Sequence, residues 1–110
     1  MKSKAFECMM MLGNVIRTSV HSENWFVYMI RCQNGNLYTG LTTDVQRRFQ
    51  EHQEQGKKTA KYLRGKQPLS LVCVIAVESR QDGLCLEHQI KSMPKNEKED
   101  LINRIGNNLD

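Results

Sequence analysis

A small α+β (α/β) domain with element order β-β-α-β-α-α is the fold this sequence predicts. Three observations carry the prediction. Asn34-Gly35 separates two runs rich in aromatic and β-branched residues. A capped stretch with helical periodicity begins at Thr43 or Asp44. An apolar run from Leu69 to Glu78 is followed by two further helical patterns. The chain has 110 residues, enough for one domain. A domain of this size buries roughly two-thirds of its unfolded surface and needs no disulfide or structural metal to fold.

Residues 1–23 read as an N-terminal extension of unclear role, and residues 24–110 as the single domain. The extension holds a short apolar cluster, Met9-Met10-Met11-Leu12, behind Lys2 and Lys4. It is too brief for a signal h-region, and no small-residue cleavage site follows it clearly.

The first strand is Trp25-Phe26-Val27-Tyr28-Met29-Ile30, whose residue types favour a pleated, half-buried surface. Asn34 and Gly35 both tolerate positive φ and mark a hairpin. Leu37-Tyr38-Thr39-Gly40-Leu41 is the return strand. Register then decides whether Tyr28 and Tyr38 meet, because side chains alternate faces. A two-residue loop would pair Arg31 with Tyr38 and put Tyr28 on the other face. A three-residue loop or one β-bulge puts both tyrosines on the same face, and that is the expected case.

Thr43-Asp44-Val45-Gln46 fits a capping box with Gln46 reaching back to the Thr43 amide. At about 100° per residue, Val45, Arg48, Phe49 and His52 then share one stripe. Arg47, Gln50 and Glu54 fall opposite. Taken alone, Arg48 is explained as a side chain snorkelling past Phe49, and His52 as hydrogen-bonded core filler.

Gly56 to Gln67 reads as a loop or broken helix. It carries Lys57, Lys58, Lys61, Arg64 and Lys66, with Tyr62 among them. These cations are candidates to grip a phosphate backbone while the ring stacks a base; the commoner explanation of such a run is solubility. In the third strand both faces look apolar, so both are expected to be covered. Asp82 is the expected cap of a helix from Gly83 to Met93 with Leu86, Ile90 and Met93 in its core stripe. Glu87 lies at that stripe's edge, one turn before Lys91, where the ordinary reading is an i,i+4 ion pair. Pro94 opens the last helix, in which Leu101, Ile102 and Ile105 pack, and Gly106 ends it.

The net charge of +4 is unevenly spread: residues 25–66 hold eight Lys/Arg against three Asp/Glu, and residues 67–110 hold five against seven. The positive field therefore lies beside the tyrosines and suits a polyanion, nucleic acid above all. No apolar run approaches the ~18 residues of a membrane span. Cysteines 8, 32, 73 and 85 show no zinc-ligand spacing. Free thiols and the absence of a secretory pattern point to the cytoplasm.

Tyr28, Tyr38-Thr39-Gly40, Arg48, His52 and Leu86-Glu87-His88-Gln89-Ile90-Lys91, in this order, resemble the GIY-YIG nuclease domain. The likeness is greatest to its small, stand-alone bacterial members and runs from about Asn24 to Ile105. Phe26-Val27 stand where the first motif has Gly-Ile, and Thr39 stands for the Ile of the second. The resemblance implies a three-stranded antiparallel sheet flanked by helices. It also implies catalytic Tyr28, Tyr38, Arg48, His52 and Glu87, with Gly40 as a structural motif residue and Glu87 as the ligand of one Mg²⁺ or Mn²⁺. A late asparagine is matched by either Asn96 or Asn103. The activity implied is metal-dependent hydrolysis of DNA phosphodiesters, read by backbone or structure rather than sequence, in repair or recombination. A protein partner supplying specificity fits the small size. The alternatives are a nucleic-acid-binding module with little cleavage of its own, or a scaffold in which these residues only pack.

Overall fold

Residues 24–106 are described by the computed structural model. The extension with its Met9–Leu12 cluster, and Cys8, lie outside the described residues. Strands β1 (Trp25–Arg31), β2 (Leu37–Thr42) and β3 (Ser70–Val77) form one sheet in the order β2-β1-β3. Both pairings are antiparallel. Helix α1 (Val45–Glu54) follows β2, a 3₁₀ turn (Lys61–Leu63) lies in the basic loop, and α2 (Arg80–Lys91) and α3 (Lys95–Gly106) follow β3.

The hairpin has the register the tyrosines require. Cys32 N–H donates to Asn36 O at 2.8 Å, leaving Gln33, Asn34 and Gly35 as a three-residue loop. Within the loop Gly35 takes positive φ, +89°, and the Asn34 side chain braces the turn, its Oδ1 accepting from Asn36 N–H at 3.0 Å. Ile30 therefore faces Tyr38, and Tyr28 faces Gly40, putting both tyrosines on one face. Two contacts from α3 fix the hairpin's end. Arg31 donates to both Glu99 oxygens at 2.6 and 2.8 Å, and Lys95 Nζ donates to Gly35 O at 2.6 Å.

Alternation along β1 separates two cores. Val27 and Met29 join Cys73, Ile75, Val77, Leu86, Ile90, Leu101 and Ile102 under α2 and α3. Tyr28 and Ile30 join Cys32, Leu63 and Leu69, with Tyr38, Val45 and Phe49 at the margin, under α1 and the basic loop. Both faces of β3 are covered, as its composition requires, but simple alternation assigns its residues wrongly. The register against β1 shifts between Met29 and Ile30, where Cys73 and then Leu71 are the partners. The bulged residue, Val72, packs with the α2–α3 core, and Leu71 and Leu69 turn to the tyrosine face. A bulge inserts one residue and exchanges the faces beyond it.

Two helix starts differ from the sequence expectation. The N-cap of α1 is Asp44, whose carboxylate accepts from Arg47 N–H at 3.1 Å, and the residue that braces it is Thr42, whose Oγ1 accepts from Asp44 N–H at 3.1 Å. The capping box on Thr43 and Gln46 is not formed. Helix α2 starts three residues before Gly83, capped by Ser79 Oγ accepting from Asp82 N–H at 3.1 Å. Both Ser79 and Asp82 are competent caps, and the earlier one gives an extra turn over the sheet. Pro94 opens α3 by accepting from Glu97 and Lys98 N–H.

Candidate active site

Gly40 sets the position of Tyr28. The phenol lies across the partner strand where a Cβ on residue 40 would stand; its Oη and Cζ are the atoms such a Cβ would strike. The ring is 1% exposed, and its hydroxyl meets His52 Nε2 at 2.9 Å. His52 is fully buried at the last turn of α1, not merely flanking the core.

The partners of His52 decide its tautomer. Ala60 N–H donates to Nδ1 at 3.2 Å, so Nδ1 carries the lone pair. In the neutral ring Nε2 then carries the proton and donates to Tyr28 Oη. Burial first, and then the Arg48 charge, pull the imidazole pKa down from 6.5 to about 4, with Glu51 opposing. His52 is thus a neutral donor and orients the phenol. It does not take the phenol's proton.

Burial raises the Tyr28 pKa above its ordinary value, and Tyr38 adds to the rise, while the Arg48 charge and hydrogen bond pull it back. Arg48 and the His52 donor favour the phenolate, and desolvation outweighs them.

Tyr38 stands between the other rings, with centroids 6.3 Å from Tyr28, 5.5 Å from His52 and 6.1 Å from Tyr62. Desolvation pulls the Arg48 pKa down, but the Glu51 hydrogen bond, with Tyr28 and Tyr38 adding, raises it on balance. Arg48 Nη1 donates to Glu51 Oε1 at 2.9 Å and to Lys58 O at 2.6 Å. Glu51, which the sequence reading passed over, is a hub. It also accepts from Arg47 at 2.9 Å and lies 3.9 Å from Lys58 Nζ. The signal was available: Glu51 follows Arg47 by four residues and Arg48 by three, both helical neighbours.

The basic loop is fastened by polar contacts. Thr59 Oγ1 donates to Glu51 O at 2.7 Å. The Gln55 amide joins His52 O and Leu63 O and accepts from Gly65 N–H. Gln33 N–H donates to Lys66 O at 3.0 Å. Lys57, Lys58, Lys61 and Arg64 are exposed along it, and Lys66 lies over the Tyr62 ring at 3.8 Å. Arg64 is partly engaged, donating to Gly56 O at 3.1 Å.

Glu87 is on α2, whose buried residues Leu86 and Ile90 pack on the opposite sheet face, and its carboxylate pairs with Lys91 Nζ at 3.1 Å. Among the described residues no group of three His, Cys, Asp or Glu side chains is placed to hold a metal. The donor set thus fits a divalent ion only through one carboxylate, with water and substrate oxygens completing the shell, as Mg²⁺ permits. Asn96 and Asn103 are both exposed on α3. No helix of the described residues is long and apolar enough to cross a membrane.

A family model described as the GIY-YIG catalytic domain matches residues 24–100. A UPF0213 protein of Cronobacter sakazakii (strain ATCC BAA-894) is 50% identical over 80 residues, covering 73% of this chain and 82% of the relative. The UPF0213 protein YhbQ of Escherichia coli (strain K12) is 47% identical over 78 residues, covering 71% and 76%. The solution NMR structure of a UPF0213 protein from Bacillus halodurans matches with 38% identity and a TM-score of 0.50, covering 76% of this chain and 86% of that one. The matched segment begins one residue before β1 and holds Tyr28, Tyr38, Arg48, His52 and Glu87. The chain belongs to the GIY-YIG family, a family of nuclease domains, among bacterial relatives named UPF0213 proteins.

Proposed function

We propose that this protein is a divalent-metal-dependent DNA endonuclease that hydrolyses phosphodiester bonds and reads backbone or branched structure rather than base sequence. The observation that carries the reading is the convergence of Tyr28, Tyr38, His52 and Arg48 on one sheet face beside a fixed basic loop. Both ring nitrogens of the fully buried His52 are engaged, and one of them holds the Tyr28 phenol in place.

The residues divide the work as follows. Arg48 neutralises the phosphate and the charge that grows on it, presenting a planar fork that lysine lacks. To do so it exchanges part of its Glu51 and Lys58 contacts for phosphate oxygens. Tyr28 accepts the proton of the attacking water only as its phenolate, formed by losing its own proton to solvent water, and the His52 N–H and the Arg48 charge favour that form against burial. Tyr38 orients the water. Glu87 would hold Mg²⁺ or Mn²⁺, which when bound supplies Lewis-acid polarisation of the phosphoryl oxygen. Engaging it requires Glu87, whose side chain is mostly buried, to leave its i,i+4 partner Lys91, which is exposed. Lys57, Lys58, Lys61, Arg64 and Lys66 hold the DNA backbone without sequence information. Repair or recombination is the setting that suits recognition by structure, with a partner protein adding specificity.

The test is cleavage of single-stranded, duplex, nicked and branched DNA with Mg²⁺, Mn²⁺ or EDTA, using wild type and Glu87→Ala. Metal-dependent cutting by wild type, lost in Glu87→Ala, is the expected result. Equal cutting by the folded variant removes Glu87 from the mechanism. A second reading, a nucleic-acid-binding module, draws on the pairing of both Arg48 and Glu87 with neighbours. Binding with steep salt dependence and no cleavage of any substrate would select it.

A further inference from the structure

Tyr62 is one of two large apolar side chains exposed among the described residues, the other being Leu84 on α2. A single exposed tyrosine is ordinary. This one is distinguished by what surrounds it. It stands on the 3₁₀ turn beside Leu63, which is fully buried, so the ring is mounted on the core of the tyrosine face. The turn is tied to α1 by the Gln55 amide on Leu63 O at 3.2 Å. Its ring extends a file of aromatics outward from the buried site: Tyr28 to Tyr38 at 6.3 Å, then Tyr38 to Tyr62 at 6.1 Å. Lys66 Nζ lies over one face of the ring at 3.8 Å, so a base stacks on that face as the ammonium swings from it to the base's phosphate.

We propose that Tyr62, with Lys66, is a stacking platform for one unpaired nucleobase next to the phosphate bound at Tyr28 and Arg48, so the site takes single-stranded or locally unpaired nucleic acid. The placement of that phosphate rests on the nuclease reading above. A paired base inside a duplex is already stacked on both sides and offers no free face to the ring. An unpaired base does, and stacking on an aromatic is tolerant of sequence. The file of rings gives the direction of the strand. The sugar-phosphate enters the tyrosine cluster, and the neighbouring base is held at the rim by Tyr62.

The experiment measures binding in EDTA, so that it does not depend on cleavage. Wild type, Tyr62→Ala and Tyr62→Phe are titrated at one salt concentration against three labelled probes. The probes are an oligothymidylate of about 12 nucleotides, within the span of ~4–16 that such sites occupy, an abasic oligomer of equal length and charge, and a duplex closed by hairpins. Tyr62→Ala is expected to weaken oligothymidylate binding by about 5- to 150-fold, the range of a single base–aromatic stack. Tyr62→Phe should bind within about twofold of wild type, because the π-face is kept. The abasic oligomer and the closed duplex should not distinguish the three proteins. Unchanged oligothymidylate binding by Tyr62→Ala overturns the proposal. So does an equal loss on the abasic oligomer, which would mean that the ring serves only to hold Lys66. A protein that cleaves nothing yet shows this pattern loses the nuclease reading and keeps the platform. One that cleaves but lacks the pattern does the reverse.

Discussion

The two faces of the sheet are made by the same strand, yet they differ in kind. Under α2 and α3, Val27 and Met29 meet Leu86, Ile90, Leu101 and Ile102 in an apolar layer. Under α1 and the basic loop, Tyr28 meets an imidazole, a second phenol and a guanidinium. The first face is held by burial, about 1.5–3 kcal/mol per large apolar side chain. The second is held by directional contacts whose members must all be satisfied, and among the described residues no buried side-chain polar atom lacks a partner. A dry layer thus anchors the sheet while the opposite layer holds groups that folding alone would not select.

That contrast predicts different responses to damage. Leu86→Ala should remove about 2–5 kcal/mol of stability, the usual cost of a large-to-small change in a packed core. Denaturant unfolding would show it, and at temperatures where the variant is folded its nucleic-acid binding should match wild type. A binding loss at full folding would mean that the faces are coupled. The next largest effect belongs to pH. His52 is held neutral in the fold, its pKa lowered from 6.5 to about 4. Between those values the unfolded chain binds more protons than the native one, so stability falls as pH drops below 6.5 and the loss levels off below about 4. By linkage the loss between pH 7 and pH 5 is about 2 kcal/mol. His52→Gln removes this contribution, so its stability should vary less over that range than that of wild type. Parallel pH profiles for the two proteins would show that His52 is not the group responsible.

Much of this architecture is legible in the sequence. Element order follows from Asn34-Gly35, the helical stripe of Val45, Arg48, Phe49 and His52, and Pro94. The shared face of the tyrosines follows from loop length, which the three-residue turn confirms. Other features depend on contacts that no local pattern encodes. Thr43 and Asp44 are both plausible caps, and the buried Thr42 hydroxyl bracing Asp44 decides between them. The alternation of β3 holds from Cys73 to Val77 and breaks at Val72, because register is set by pairing with β1. The tautomer of His52 depends on an amide eight residues away, Ala60. The Glu51 hub could have been found by helical spacing alone, but its carboxylate reads as one more surface charge until Lys58 is brought beside it. Glu87 lies on α2, whose buried residues pack on the other sheet face, and its pair with Lys91 is the i,i+4 contact that spacing foretells.

The central claim is that the polar face performs phosphodiester chemistry with the Tyr28 phenol. Its most direct test is metal-dependent cleavage by Tyr28→Phe, measured on the substrate that wild type cuts best, with thermal unfolding run alongside to establish that the variant is folded. Loss of one hydroxyl from a general base is expected to lower the rate by about 10²–10⁴-fold. Turnover by folded Tyr28→Phe equal to wild type would contradict the account.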